Sequence, residues 1–203
     1  MRTIIRITKS ELRVLFFSPI AWLILIVFSF QVGMAYCDVL AQQLQTMELG
    51  YRTPAVTSSL FAGYTGIFSG LLDNLYLYIP LFTMGLMSRE YSSGSIKLLY
   101  SSPVSSIQII FGKFLSMMIY SLILVGILFL FVGFTAWNVP SFDMSLALSG
   151  LLGIYLVICS YAAIGLFMSC LTSYQVVAAI GTLIILAVLN YMNQVLSLIH
   201  ISE

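Results

Sequence analysis

Charge is what this chain has least of. Lys, Arg, Asp and Glu make up 7% of its 203 residues, while 61% are hydrophobic. A soluble domain spends about a quarter of its residues on charge, so the composition excludes a water-soluble globule and predicts an all-α, polytopic membrane protein. The ionisable groups avoid the middle of every apolar segment. That argues against proton and ion pumps, whose carriers and counter-ions sit there. No span holds an aspartate pair, and the only histidine, His200, stands at the far end of the chain, so intramembrane proteolysis lacks a base. No G-x-x-x-x-G-K-[ST] phosphate loop occurs either. If ATP drives this protein, another chain binds and hydrolyses it, and no cofactor, metal or nucleic acid is expected here. Cys37, Cys159 and Cys170 show no paired spacing and read as small apolar packing residues. A signal peptide is absent from the pattern, because Met1 to Arg13 is too charged and offers no small-residue cleavage site.

What is abundant is apolar sequence in long runs. A hydrocarbon core about 30 Å thick needs about 20 apolar residues in a helix. Five stretches meet that length: Pro19–Cys37, Ile67–Met87, Ile107–Trp137, Leu146–Leu171 and Val176–Leu196. The second carries Asp73 and Asn74 near its start and Pro80 inside it. Arg2, Arg6, Lys9 and Arg13 precede the first span, and Arg89, Lys97 and Lys113 lie between the second and third. Of the basic residues only Arg52 falls in the other loops. The positive-inside rule therefore predicts a cytosolic N-terminus and an outward-facing loop from Asp38 to about Gly66.

Arg2, Arg6, Lys9 and Arg13 share one narrow helical face, with Ile4, Ile7, Val14 and Leu15 opposite. Residues 1–18 thus read as an interfacial helix, apolar face down. Glu11 interrupts that apolar face, which points it toward protein instead of lipid. Ser18-Pro19 reads as an N-cap followed by proline at the first helical position. At the other end, the tail Ser197–Glu203 follows the fifth span without loop or anchor. It is expected to be non-native, with the natural chain continuing into a sixth span.

Between Ser88 and Lys113 the apolar sequence gives way to one polar island, SREYSSGSIKLLYSSPVSSIQIIFGK. Ser92, Ser93 and Gly94 break the helix leaving the membrane, and Ser93 is placed to cap a new one. Ile96, Leu99 and Tyr100 stand at i, i+3 and i+4, giving a short helix one compact apolar patch in need of a partner. Ser102-Pro103 ends that helix, and Ser105 with Gln108 forms a capping box that starts the third span.

These residues carry a resemblance. The run E90-x3-G94-S-I-K-L-L-x2-S102-P103-V-S-x5-F111-G-K113 resembles the stretch between the second and third spans of type-two ABC exporter permeases, which serve drug, polysaccharide and gliding-motility-associated systems. The start, K9-S-E-L-R-x4-F-S18-P19, is similar to the elbow helix of the same permeases. Lys97 departs from a usual acid, Ser95 from a usual Thr, and Gln108 from an acid. The resemblance implies a single permease domain, with spans one and two over 19–87, a cytosolic coupling segment over 88–113 and spans three to five over 114–196. It implies an ATPase-coupling set of Glu90, Gly94, Ser95, Ile96, Leu98, Leu99, Tyr100, Ser102 and Pro103. The implied partners are an ABC ATPase subunit that carries the ATP and a second permease, as homo- or heterodimer, in a bacterial inner membrane. Milder polar residues in the spans, Gln31, Tyr76, Tyr78, Thr83 and Asn190, are candidates for lining a substrate path. An ATP-independent carrier or channel, and a non-transporting scaffold that recruits a cytosolic partner, stand as alternatives.

Overall fold

The computed structural model describes residues 2–49, 57–63, 66–101, 104–139 and 142–201, with backbone alone at 98–100, 193–194 and 196–201. The described residues form α-helices with one short π-helical segment, Ser58–Ala62, and contain no strand. In chain order the helices are α1 (Arg2–Phe17), α2 (Pro19–Glu48), α3 (Ile67–Thr83), α4 (Ser88–Ser93), α5 (Ile96–Ser101), α6 (Ser106–Asn138), α7 (Met144–Leu171) and α8 (Gln175–Ile201). Five segments are long and apolar enough to cross a membrane, carried by α2, α3, α6, α7 and α8.

The spans are apolar on every side, so burial in them is set by packing and not by polarity. On α2 the residues Ala21, Ile24, Phe28, Val32, Tyr36 and Val39 are buried at steps of three and four, while Leu23, Ile26, Phe30 and Met34 are exposed. On α6 the same spacing buries Ile109, Met117, Tyr120, Leu124, Leu128 and Val132. A stripe at helical period faces neighbouring helices, and the equally apolar remainder is left for lipid or a partner.

Boundaries differ from the sequence reading in instructive ways. The first span was expected to stop at Cys37, but α2 continues through Asp38 to Glu48. Polar residues do not end a helix once it leaves hydrocarbon, since its own backbone bonds still hold it. The second span stops at Thr83, short of Met87, and residues 84–87 form turns before α4. Pro80 lies within α3 without ending it. Ser93 does not cap α5; it closes α4, and Gly94 terminates that helix with φ of 72°.

Two compact units share these helices. One comprises Met1–Ala21, Leu75–Ile119 and Ile158–Glu203; the other comprises Trp22–Asn74 and Tyr120–Val157. In the second, the Tyr36 hydroxyl and Thr135 Oγ1 are hydrogen-bonded at 3.0 Å, and the Tyr36 ring lies 5.2 Å from that of Phe131. Phe61 packs on Phe68 and Phe142, and Thr57 Oγ1 accepts the Asp143 amide at 2.8 Å. Asp143 in turn caps α7, accepting from the Ser145 hydroxyl at 2.8 Å and from the amides of Ser145 and Leu146. Those bonds, the Ser145 hydroxyl first, hold its carboxyl below the usual aspartate range. The other unit carries the candidate site.

Candidate functional site

The site begins where α1 meets α6. Thr8 is buried, and its hydroxyl donates to Ile4 O at 2.9 Å within α1 and to Gly112 O at 3.1 Å on α6. The helices approach so closely that a Cβ built on Gly112 would lie 2.7 Å from Ile7 Cγ2. Only glycine permits that distance. Arg2, Arg6, Lys9 and Arg13 remain exposed. The face with Ile7, Thr8 and Glu11 is therefore the one turned to protein, as Glu11 had indicated.

One residue beyond Gly112, Lys113 enters the unit's interior with 1% exposure. Its ammonium donates to Glu11 Oε1 at 2.8 Å and to Glu90 Oε1 at 2.6 Å. The glutamates are 13% and 15% exposed. Sequence reading had counted Lys113 among the cytosolic basic flank and had seen it as the end of a polar island. Instead it is the centre of a charge cluster, buried because two carboxylates from distant segments converge on it. An unpaired lysine at such a position would be costly; here two carboxylates supply partners for its ammonium. Its own carbonyl accepts the Ser116 hydroxyl at 2.6 Å. With all three groups ionised the cluster carries one net negative charge, and Glu90 Oε2 is buried without a hydrogen bond among the described residues.

A second anchor fixes the entry to α4. Ser169, buried near the end of α7, accepts the Met87 amide at 3.0 Å and the Ser88 amide at 3.1 Å, and donates to Met84 O at 3.0 Å. The Ser88 hydroxyl also donates to Met84 O. The first amides of a helix have no partner within it, and here a hydroxyl from another helix accepts two donors at that junction. Nothing in the local sequence around Ser88 could reveal a partner 81 residues away. α8 also packs against α4.

Of the expected coupling residues, Glu90 lies in α4 and is tied to Lys113, while Gly94 makes the left-handed turn. Ser95 Oγ is hydrogen-bonded to Ser93 Oγ at 2.9 Å, and Ile96 is half-buried at the start of α5. Leu98, Leu99 and Tyr100 belong to α5 by backbone, but their side chains fall outside the described residues, as do Ser102 and Pro103 altogether. Ser105 precedes α6, and its hydroxyl accepts the Gln108 amide at a long 3.4 Å. Among the mild polar residues, Gln31, Tyr76, Tyr78 and Asn190 are half-buried. Thr83 is fully buried, donates to Ile79 O at 2.8 Å, and packs against Gly165. None of the five borders the pocket beside α1 or the apolar grooves along α6 and α7.

Five apolar helices, an amphipathic N-terminal helix and a charged junction among α1, α4 and α6 define a multi-pass membrane protein. Residues 5–202 match the family described as ABC-2 family transporter protein, and the chain belongs to that family. No curated protein and no solved structure gives a match.

Proposed function

We propose that this chain is the membrane-spanning permease subunit of an ATP-driven ABC exporter in a bacterial inner membrane, with its N-terminus cytosolic. A separate nucleotide-binding ATPase docks on the α4–α5 segment, and a second permease completes the pore. The observation that carries this reading is Lys113, whose ammonium ties Glu90 of α4 to Glu11 of α1 and to the first turns of the α6 span. A segment held in that way moves its neighbours when it is pushed. Membership of the ABC-2 family supports the ATPase as the body that pushes.

The test is co-purification of the permease with its ATPase, alongside transport in vesicles. Leu99→Asp places a carboxylate where an apolar contact with the ATPase is expected, a change costing several kcal/mol, on the order of 3. Gly94→Val forces a β-branched residue into a left-handed turn. Both variants are expected to insert into the membrane, lose the ATPase and stop transport. Lys97→Glu is expected to be tolerated. Normal ATPase binding and transport by Leu99→Asp would return the segment to an ordinary loop and favour a carrier or scaffold.

A further inference from the structure

A second concave site lies in the same unit, beside the elbow. Residues of α1, the start of α2, the end of α3 and the first residue of α8 enclose a pocket of about 80 Å³. Ile20 and Ala21 open one span, Leu81 and Phe82 close another, and Gln175 begins a third. Where span ends line one cavity, it sits at the boundary between hydrocarbon and headgroups. Arg89 supplies its one cation and Glu11 its one carboxylate. Arg89 is exposed and makes no ion pair among the described residues. Glu11 gives one oxygen to Lys113, and its other oxygen makes no hydrogen bond among the described residues. Ile20 and Leu81 at the rim are 41% and 42% exposed, so the cavity opens onto apolar surface that acyl chains cover.

We propose that this pocket binds the headgroup of a phosphoethanolamine lipid, its phosphate on Arg89 and its primary ammonium on Glu11. A guanidinium matches phosphate oxygens two at a time. A purely anionic headgroup would meet the Glu11 carboxylate, whose cluster with Glu90 and Lys113 carries a formal net negative charge. A quaternary ammonium has no N–H to give that carboxylate. The zwitterion with a primary ammonium satisfies both walls. This goes beyond the transport reading, since it requires only that the chain span a bilayer.

The test uses the permease alone, without an ATPase, in nanodiscs and in detergent, with retained lipid read by native mass spectrometry. The wild type is expected to retain phosphatidylethanolamine about tenfold over phosphatidylglycerol and phosphatidylcholine, the scale of one charge-assisted hydrogen bond. Arg89→Gln should lose that retention by about tenfold at unchanged thermal stability, and Arg89→Lys should recover part of it. Equal retention of the three lipids, or no change in Arg89→Gln, would overturn the proposal. Displacement of the lipid by millimolar inorganic phosphate would also overturn it, because the site would then be one for free anions.

Discussion

Lys113→Met removes the cation at the centre of the cluster while keeping an unbranched chain of similar length. Glu11 and Glu90 are then left facing each other, with little access to water and no cation between them. Breaking a buried ion pair by deleting one partner costs about 3–5 kcal/mol. The carboxylates keep 13% and 15% exposure, which places the expected loss at the lower end, about 3 kcal/mol. For a chain of this size about 3 kcal/mol corresponds to a fall in melting temperature of roughly 6–12 °C, readable by thermal melts followed on a detergent size-exclusion column. The control is the triple variant Lys113→Met, Glu11→Gln, Glu90→Gln. Removing all charge leaves polar but neutral groups, and most of the lost stability should return. The reasoning fails if Lys113→Met melts within about 2 °C of wild type, or if the triple variant is as unstable as the single.

Three further outcomes follow from single contacts. Gly112→Ala drives a methyl to 2.7 Å from Ile7 Cγ2 and should cost about 1–3 kcal/mol, with much of the loss recovered by adding Ile7→Ala; both are measured by thermal melts. Ser169→Ala leaves the Met87 and Ser88 amides without their shared acceptor and should destabilise by about 1–3 kcal/mol, with faster hydrogen exchange at those two amides as the specific readout. Asp143 has its carboxyl held below the usual range by Ser145 and Leu146, so its stabilisation is complete above the unfolded aspartate pKa and is lost as pH falls through the lowered folded value. Asp143→Ala should therefore remove stability at neutral pH and flatten the acid side of the melting-temperature profile.

The spans were legible because hydrocarbon demands length and apolarity, and both are local properties of sequence. The α1 helix was legible because its four basic residues repeat at helical spacing. Even the partner character of Glu11 could be read, since a carboxylate on an apolar face needs a reason. What stayed hidden depended on distance along the chain. Lys113 looks like any basic residue flanking a span, and only folding brings Glu11, 102 positions earlier, to 2.8 Å from its ammonium. Ser169 looks like a small residue in a span end, yet it accepts two amides of a segment more than 80 residues earlier. Gly112 is one glycine among 14; its need is set by Ile7 on another helix. A positive-inside count treats charges as counters on a surface, and it cannot separate a lysine in water from one that is 1% exposed.

The cluster is better explained by position than by stability. An apolar triplet of the same volume would hold α1, α4 and α6 together about as well, because desolvating ions offsets most of what their attraction returns. Apolar contacts, however, tolerate sliding: a leucine displaced by an ångström finds another leucine. An ammonium bonded at 2.6 Å and 2.8 Å to two carboxylates resists separation from either. Displacing Glu90 along α4 must stretch its bond, carry Lys113 with it, or break the pair at a cost of several kcal/mol, on the order of 3. The backbone of Lys113 is itself held by the helical bonds of α6. A chain so poor in charge places three of its acidic and basic side chains where α1, α4 and α6 meet. There the two ion pairs tie the three helices to one another, and under the proposed function a push on the short helix would be carried to the start of the span.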